Sequence, residues 1–486
     1  MPRNAVPERG WLWPAALGVL AITAARVALL AVNRTDLFVD EAQYWLWGQE
    51  LAFGYYSKPP MIGWVIRAMT TLAGSDAAFW VRLPAPLFHA ATALILGSVA
   101  ARLFDARAAL VVAMGYVTLP MVALGSLLIS TDTVMFPFLA AALAGYLRVL
   151  DRPAAVSAVL TGVALGLAFL TKYAAVYYLI SAGLAALILP GARPDPKGAV
   201  LILLAFLITI TPNIGWNIAN GFSTVQHTLD NADWVRAPAD RAALNLAGLA
   251  EFLASQFAVF GPVLFAALLI AALRWRSLGP AMRLLLVFSL PIIVIVCTQA
   301  LLSRAYANWA ATAYLAGSLV VLPWLMRQNR VWLIASFTIN GAVSLIFPLA
   351  TTVPDTLYLG QEQPLLQRYI GRDEMSREIL KAADDNGLGI IVASDRDVLA
   401  DLFYTGRDHA ATIYALPPKG RAPHHYALKF PYRPGPDRVL YVARASEPPP
   451  CPNRAEPLAQ IAPATGAYRR FPQALFVVPG DCFGEN

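Results

Sequence analysis

The chain has 486 residues, 58% of them hydrophobic and 14% charged, and carries a formal net charge of +7. Soluble globular chains carry about 25% charged residues, so this deficit excludes a single soluble domain and fits a chain whose main solvent is lipid. The positive balance is that of basic cytoplasmic loops; no basic, aromatic-interleaved surface points to nucleic acid, and no nucleic-acid partner is expected.

A spanning helix needs about 20 mostly apolar residues. Eleven runs of this kind are centred near Ile22, Ala93, Val117, Ala142, Leu165, Leu184, Leu207, Leu264, Val294, Ser318 and Ala342. The first follows a basic N-terminus, as a signal peptide does, but ten more spans follow it, so an uncleaved first helix is expected. With Arg3 and Arg9 inside, the inside loops hold Arg102 and Arg107, Arg148 and Arg152, Arg193 and Lys197, Arg274 with Arg276 and Arg283, and Arg327 with Arg330. The short outside connections are nearly bare, apart from Lys172 and Arg304. This asymmetry orients the N-terminus to the cytoplasm and the C-terminus to the periplasm of a bacterial inner membrane.

Two outside segments are long, residues 32–82 and 216–245. The first contains short amphipathic pieces, Glu41–Glu50 and Met61–Leu72, read as helices in the interface plane. Tyr44, Trp45, Trp47, Tyr55, Tyr56, Trp64 and Trp80 read as an aromatic belt. No internal repeat is found, which disfavours a transporter built of paired halves.

The sequence divides into a membrane part, residues 1–353, and a polar, Pro-rich part, residues 354–486. In the second part Asp373–Asn386 reads as a helix ended by Gly387, and Asp395–Tyr404 as another with Asp395 as its cap. Gly389–Ala393 and Arg438–Ala443 read as short buried strands, and the tail as loop. This alternation predicts a small α/β domain. Cys451 and Cys482 are expected to pair in an oxidising compartment, while Cys297 reads as a packed thiol. His409, His424 and His425 lack zinc-like spacing.

The residues with chemistry to offer fall on the outer face. Asp40 and Glu41 follow the first span, and Lys58 opens a Lys-Pro-Pro step whose prolines suit a helix start. Asp132 lies in the turn Ser130-Thr131-Asp132-Thr133, Lys172-Tyr173 at the end of the fifth span, and Arg304 shortly before Asn308 at the end of the ninth. Each has a plain alternative: Asp40 and Asp132 as helix caps, Lys172 and Arg304 as snorkelling cations. Taken together they supply carboxylates to act as base and cations to hold a phosphate. Such a set suits transfer of a group from a lipid phosphate. His89 reads as a packing residue, and His227 with Asp230 and Asp233 as part of a solvated loop.

The ordered segments DEAQYWLWGQ, YYSKPPMIGW, ISTDT, FLTKYAAVYYL and RAYANWAATAY resemble the bacterial dolichyl-phosphate-mannose-protein mannosyltransferase-like superfamily, which includes the lipid A aminoarabinose transferase. The resemblance spans about residues 15–350. It implies a GT-C fold, here with about 11 transmembrane helices, and inverting transfer from a polyprenyl-phosphate sugar to an outer-leaflet acceptor, lipid A or another glycolipid. It also implies Asp40 and Asp132 as catalytic carboxylates, Asp40 as base or acceptor-positioning group, with Lys58, Lys172 and Arg304 at the donor phosphate. Glu41, Tyr44, Tyr56, Tyr173 and Asn308 are further site candidates. Ser57 stands before Lys58 where the aminoarabinose branch carries an acid, a departure that speaks against that branch and against a metal there. A divalent metal is not required by the sequence, and a monomer is expected. Protein O-glycosyltransfer and lipid or sugar transport remain the alternative readings.

Overall fold

The computed structural model describes residues 9–232, 244–358, 360 and 362–484; Arg3 and Asp233 lie outside them. The helices in chain order are α1 (Leu12–Ala31), α2 (Val39–Gln49), α3 (Met61–Ala73), α4 (Ala78–Arg82), α5 (Pro84–Leu103), α6 (Ala106–Val117) and α7 (Pro120–Gly125). They continue with α8 (Thr131–Asp151), α9 (Ala155–Phe169), α10 (Val176–Ile188), α11 (Pro196–Ala219), α12 (Ser223–Ala232), α13 (Leu246–Val259) and α14 (Pro262–Leu273). Then come α15 (Pro280–Val287), α16 (Leu290–Leu302), α17 (Ala313–Gln328), α18 (Arg330–Ala350), α19 (Arg372–Asp385), α20 (Arg396–Thr405) and α21 (His425–Lys429). Five strands follow α19 or later: β1 (Ile390–Ala393), β2 (Thr412–Ala415), β3 (Arg438–Arg444), β4 (Glu456–Ile461) and β5 (Gln473–Pro479).

Each of the eleven apolar centres read from the sequence falls within a helix. Among the described residues, six segments are long and apolar enough to cross a membrane: α1, α4 with α5, α8, α11, α15 with α16, and α18. A seventh is α13 with α14, bent by 115°. The bend lies at Gly261, whose φ of 94° is open to glycine and strained for other residues, and Pro262 opens the second half.

The chain packs as two compact units. The first comprises residues 1–31, 57–65 and 82–348 and holds the apolar helices. Side-chain caps set its helix starts: Asp105 accepts from Ala108 N at 2.7 Å before α6, Ser130 from Thr133 N at 3.2 Å before α8, and Asp195 from Gly198 N at 3.1 Å before α11.

The second unit comprises residues 32–56, 66–81 and 349–486. Its sheet has the order β2-β1-β3-β5-β4; β1 runs parallel to β2 and β3, while β5 is antiparallel to β3 and β4. Val392, Val439, Tyr441, Val478 and Phe483 form its core. The tail after residue 450, expected as loop, contributes β4 and β5. Its strand signal is weak because β4 carries Pro457 and exposes most of its residues. Cys451 and Cys482 are disulfide-bonded, with Cα atoms 5.7 Å apart.

The aromatic residues of the first outer segment are not a lipid-facing belt within this unit. Tyr44, Trp45, Trp47, Tyr55 and Tyr56 are all buried. Trp45 meets Tyr404 of α20 edge-on at 5.0 Å and donates its indole N–H to Asp76 at 2.8 Å; Trp47 stacks on Tyr55 at 4.8 Å. Rings buried against protein rather than lipid are a core, so α2 is docked on α20 through Trp45 and its neighbours.

Candidate active site

The first unit gathers two of the expected residues, Lys172 and Asn308, around the carboxylate of a third, Asp132. Ser130 takes the cap of α8, so Asp132, two residues on, is released from capping and turns to other partners. Lys172 Nζ donates to Asp132 Oδ1 at 2.7 Å and to Oδ2 at 2.9 Å, and Asn308 Nδ2 donates to Oδ2 at 2.8 Å. Asp132 is 8% exposed, so its charge depends on these donors rather than on bulk water. Lys172 sits in the turn between α9 and α10, and Asn308 in a single 3-10 turn, Ala307–Ala310, before α17. Lys172 and Asn308 are thus held by breaks between helices and Asp132 by the first turn of α8, where side chains converge.

Two more candidates lie on the segments that lead into this cluster. Met61 N, directly after Lys58-Pro59-Pro60, donates to Leu170 O at 3.0 Å, which ties the lysine-bearing step to the chain two residues before Lys172. Arg304 is exposed four residues before Asn308, its guanidinium 6.0 Å from the Tyr306 ring. Tyr173 stands beside Lys172. Its hydroxyl donates to Asn213 Oδ1 at 3.0 Å and accepts from Asn217 Nδ2 at 3.1 Å. These asparagines were not singled out from the sequence, although two amides four residues apart in the apolar run of α11 are the signal of a polar helix face.

Asp40, Glu41, Tyr44 and Tyr56 belong to the second unit. The cap of α2 is not Asp40: Phe38 is the N-cap residue, and its backbone N–H donates to Glu41 Oε2 at 2.9 Å. Glu41 is therefore buried in a structural role. Asp40 instead pairs with Arg396 at the start of α20, Nη2 to Oδ1 at 2.6 Å, and Arg396 Nε donates to Gln43 at 3.0 Å. Sequence reading missed Arg396, which lies 356 residues away. Tyr44 packs against Trp47 at 5.2 Å, and the Tyr56 hydroxyl donates to Ala422 O at 2.9 Å.

His89 is a packing residue, as expected: it is buried, with Nδ1 3.2 Å from the Tyr116 hydroxyl and Nε2 3.3 Å from Thr133 Oγ1. His227 contacts Asn231 within α12. Among the described residues, no three His, Cys, Asp or Glu side chains gather as a metal site. A cavity of about 340 Å³ in the second unit is lined by Asp36, Asp373 and Asp401 together with Arg372, Arg377 and Arg407, a balance of charge that selects no ligand class.

A carboxylate bound by an ammonium and an amide thus lies within an apolar helical bundle. Residues 57–216 match the family model described as dolichyl-phosphate-mannose-protein mannosyltransferase. The chain is 42% identical over 415 residues to the lipid A galacturonosyltransferase RgtD of Rhizobium johnstonii, covering 85% of this chain and 86% of that protein. Its fold matches the crystal structure of ArnT from Cupriavidus metallidurans in the apo state with a TM-score of 0.65 at 14% identity, over 96% of this chain and 98% of that one. It also matches ArnT bound to undecaprenyl phosphate with a TM-score of 0.62 at 13% identity, over 97% and 98%. The chain belongs to this family of bacterial GT-C membrane glycosyltransferases, and it is a multi-pass membrane enzyme with the ArnT-like fold.

Proposed function

We propose that the chain transfers galacturonic acid from a polyprenyl-phosphate donor to lipid A in the outer leaflet of the bacterial inner membrane. The observation that carries this reading is the 42% identity, over most of both chains, to a lipid A galacturonosyltransferase. The Asp132–Lys172–Asn308 cluster supports it, because the leaving group of such a transfer is a lipid phosphate whose charge needs fixed cations.

In the proposed step, an acceptor oxygen on lipid A attacks the anomeric carbon from the face opposite the phosphate. The C–O bond to phosphate breaks with inversion, and its electron pair leaves on the polyprenyl phosphate. Asp40 takes the acceptor proton, and its pairing with Arg396 fixes the carboxylate in place. Lys58, Lys172 and Arg304 hold the departing phosphate, and Asp132 with Asn308 orients Lys172. Residues 1–353 form the catalytic membrane domain and residues 354–486 a periplasmic domain, with the N-terminus cytoplasmic. The packing of residues 32–56 with residues 349–486 in one unit supports placing both on the same side of the membrane.

Purified protein in nanodiscs, given polyprenyl-phosphate-galacturonate and lipid A, is expected to form galacturonylated lipid A, and Asp40→Asn to lose at least 100-fold of the rate at unchanged melting temperature. Wild-type rate in Asp40→Asn would remove that residue from the chemistry. Transfer from the neutral galactose donor but not from the galacturonate donor would refute the sugar.

A further inference from the structure

Arg26 lies in the apolar helix α1 and is 3% exposed. A charge inside a spanning segment is costly and is retained where it has a task. Among the described residues, no carboxylate pairs with it. Its partners are all neutral: Nη2 donates to Val117 O at 2.7 Å and to Ser344 Oγ at 2.7 Å, and Nη1 donates to Ser126 Oγ at 3.3 Å. Val117 is the last residue of α6, and Ser126 is the residue that caps the end of α7. Helix C-termini carry partial negative charge on their unpaired carbonyls. Arg26 therefore meets the C-terminal carbonyl of α6 and the hydroxyls of Ser126, at the end of α7, and Ser344 rather than an acid.

Those two ends bound the break that leads to Asp132. Ser126 donates to Val122 O at 2.6 Å, which joins the Arg26 contact to the body of α7. Beside Ser126, Gly125 O accepts from Thr133 Oγ1 at 3.2 Å. The same Thr133 oxygen lies 3.3 Å from His89 Nε2, and its backbone N–H is capped by Ser130. His89 Nδ1 in turn lies 3.2 Å from the Tyr116 hydroxyl, so His89 ties the α8 turn to α6. Thr133 adjoins Asp132 in the first turn of α8. Hydrogen bonds at Ser126 and at Gly125, neighbours in the chain, thus link Arg26 through the end of α7 to the turn that aims Asp132 at Lys172 and Asn308.

We propose that Arg26 is a positioning residue for transfer: it clamps the ends of α6 and α7, and so fixes the register in which α8 presents Asp132. The proposal rests on the reading that Asp132 serves the reaction, and the test separates the two.

The geometric test uses Asp132→Cys with Asn308→Cys in a Cys297→Ser background and measures cross-linking yield with a short bis-methanethiosulfonate. Adding Arg26→Met is expected to lower the yield at least fivefold, and Arg26→Lys, which keeps the charge, to restore half of it or more. An unchanged yield with Arg26→Met overturns the proposal. The kinetic test compares kcat/KM. Arg26→Met alone is expected to cost at least tenfold, but less than twofold when Asp132 is already Asn, because coupled residues are not additive. A full further tenfold loss in the Asp132→Asn background overturns the proposal. Should Arg26→Met not accumulate in membranes, Ser126→Ala takes its place in both tests with the same expected and overturning results. Full activity of Asp132→Asn would defeat the site reading, while the cross-linking result still decides the role of Arg26.

Discussion

Replacing Asp132 by Asn is the perturbation whose size the structure lets us work out. The carboxylate accepts from two donors at once, with Lys172 at 2.7 and 2.9 Å and Asn308 at 2.8 Å. An amide of the same shape has one oxygen and one NH₂ group. If its oxygen faces Lys172, its NH₂ faces the NH₂ of Asn308, and the reverse orientation sets donor against ammonium. One charge-assisted hydrogen bond is therefore lost in either orientation. Such bonds contribute about 1.5–3 kcal/mol, and each ~1.4 kcal/mol is a tenfold change. Lys172 and Asp132 retain 18% and 12% side-chain exposure, which places the effect toward the lower part of that range. The expected loss in kcat/KM is about 10–100-fold in a radiolabelled donor assay with purified protein, at matched expression and melting temperature. Activity within threefold of wild type would refute the claim that this cluster orients the phosphate-binding lysine.

The remaining predictions concern the second unit. His425 is buried against the Trp47 ring at 5.8 Å, and burial, reinforced by Lys429, His424 and Arg396, pushes its pKa down to about 3. The unfolded chain binds a proton near pH 6.5 that the folded chain refuses, so stability is fully present above pH 6.5 and falls as the pH drops from there toward 3. The slope is about 1.4 kcal/mol per pH unit. Hydrogen exchange of residues 390–445 at pH 7.5, 6.5 and 5.5 measures it; His425→Gln is expected to flatten the dependence, and an unchanged slope would remove His425 as its source. Removing the Cys451–Cys482 bond, which closes a separation of 31 residues, is expected to lower the stability of this unit by roughly 3–4 kcal/mol on the chain-entropy account. A Cys451→Ser/Cys482→Ser variant with the wild-type melting temperature would contradict that.

What was legible in the sequence was set by local patterns. Apolar runs located the helices, because a lipid-facing helix announces itself over some twenty consecutive residues. Asp132 was legible as a candidate cap, but whether it takes that role depends on whether a cation lies within reach, and Lys172 is 40 residues away. The same limit hid Arg396. Its pairing with Asp40 is a consequence of α2 docking on α20, and nothing local to either residue signals it. The aromatic residues of α2 were misread for a related reason: tryptophan and tyrosine serve equally at a lipid interface and in a protein core. Only the neighbouring Tyr404 and Asp76 distinguish the two. Strand β4 escaped because Pro457 and an exposed face weaken its alternation, whereas its pairing with β5 supplies the missing order.

Mass spectrometry of lipid A from cells with and without the gene, complemented by wild type or by Asp132→Asn, decides whether the protein modifies lipid A. The account predicts that deletion removes a species heavier by one galacturonic acid residue, that wild type restores it, and that Asp132→Asn restores little. A lipid A profile unchanged by deletion would contradict it.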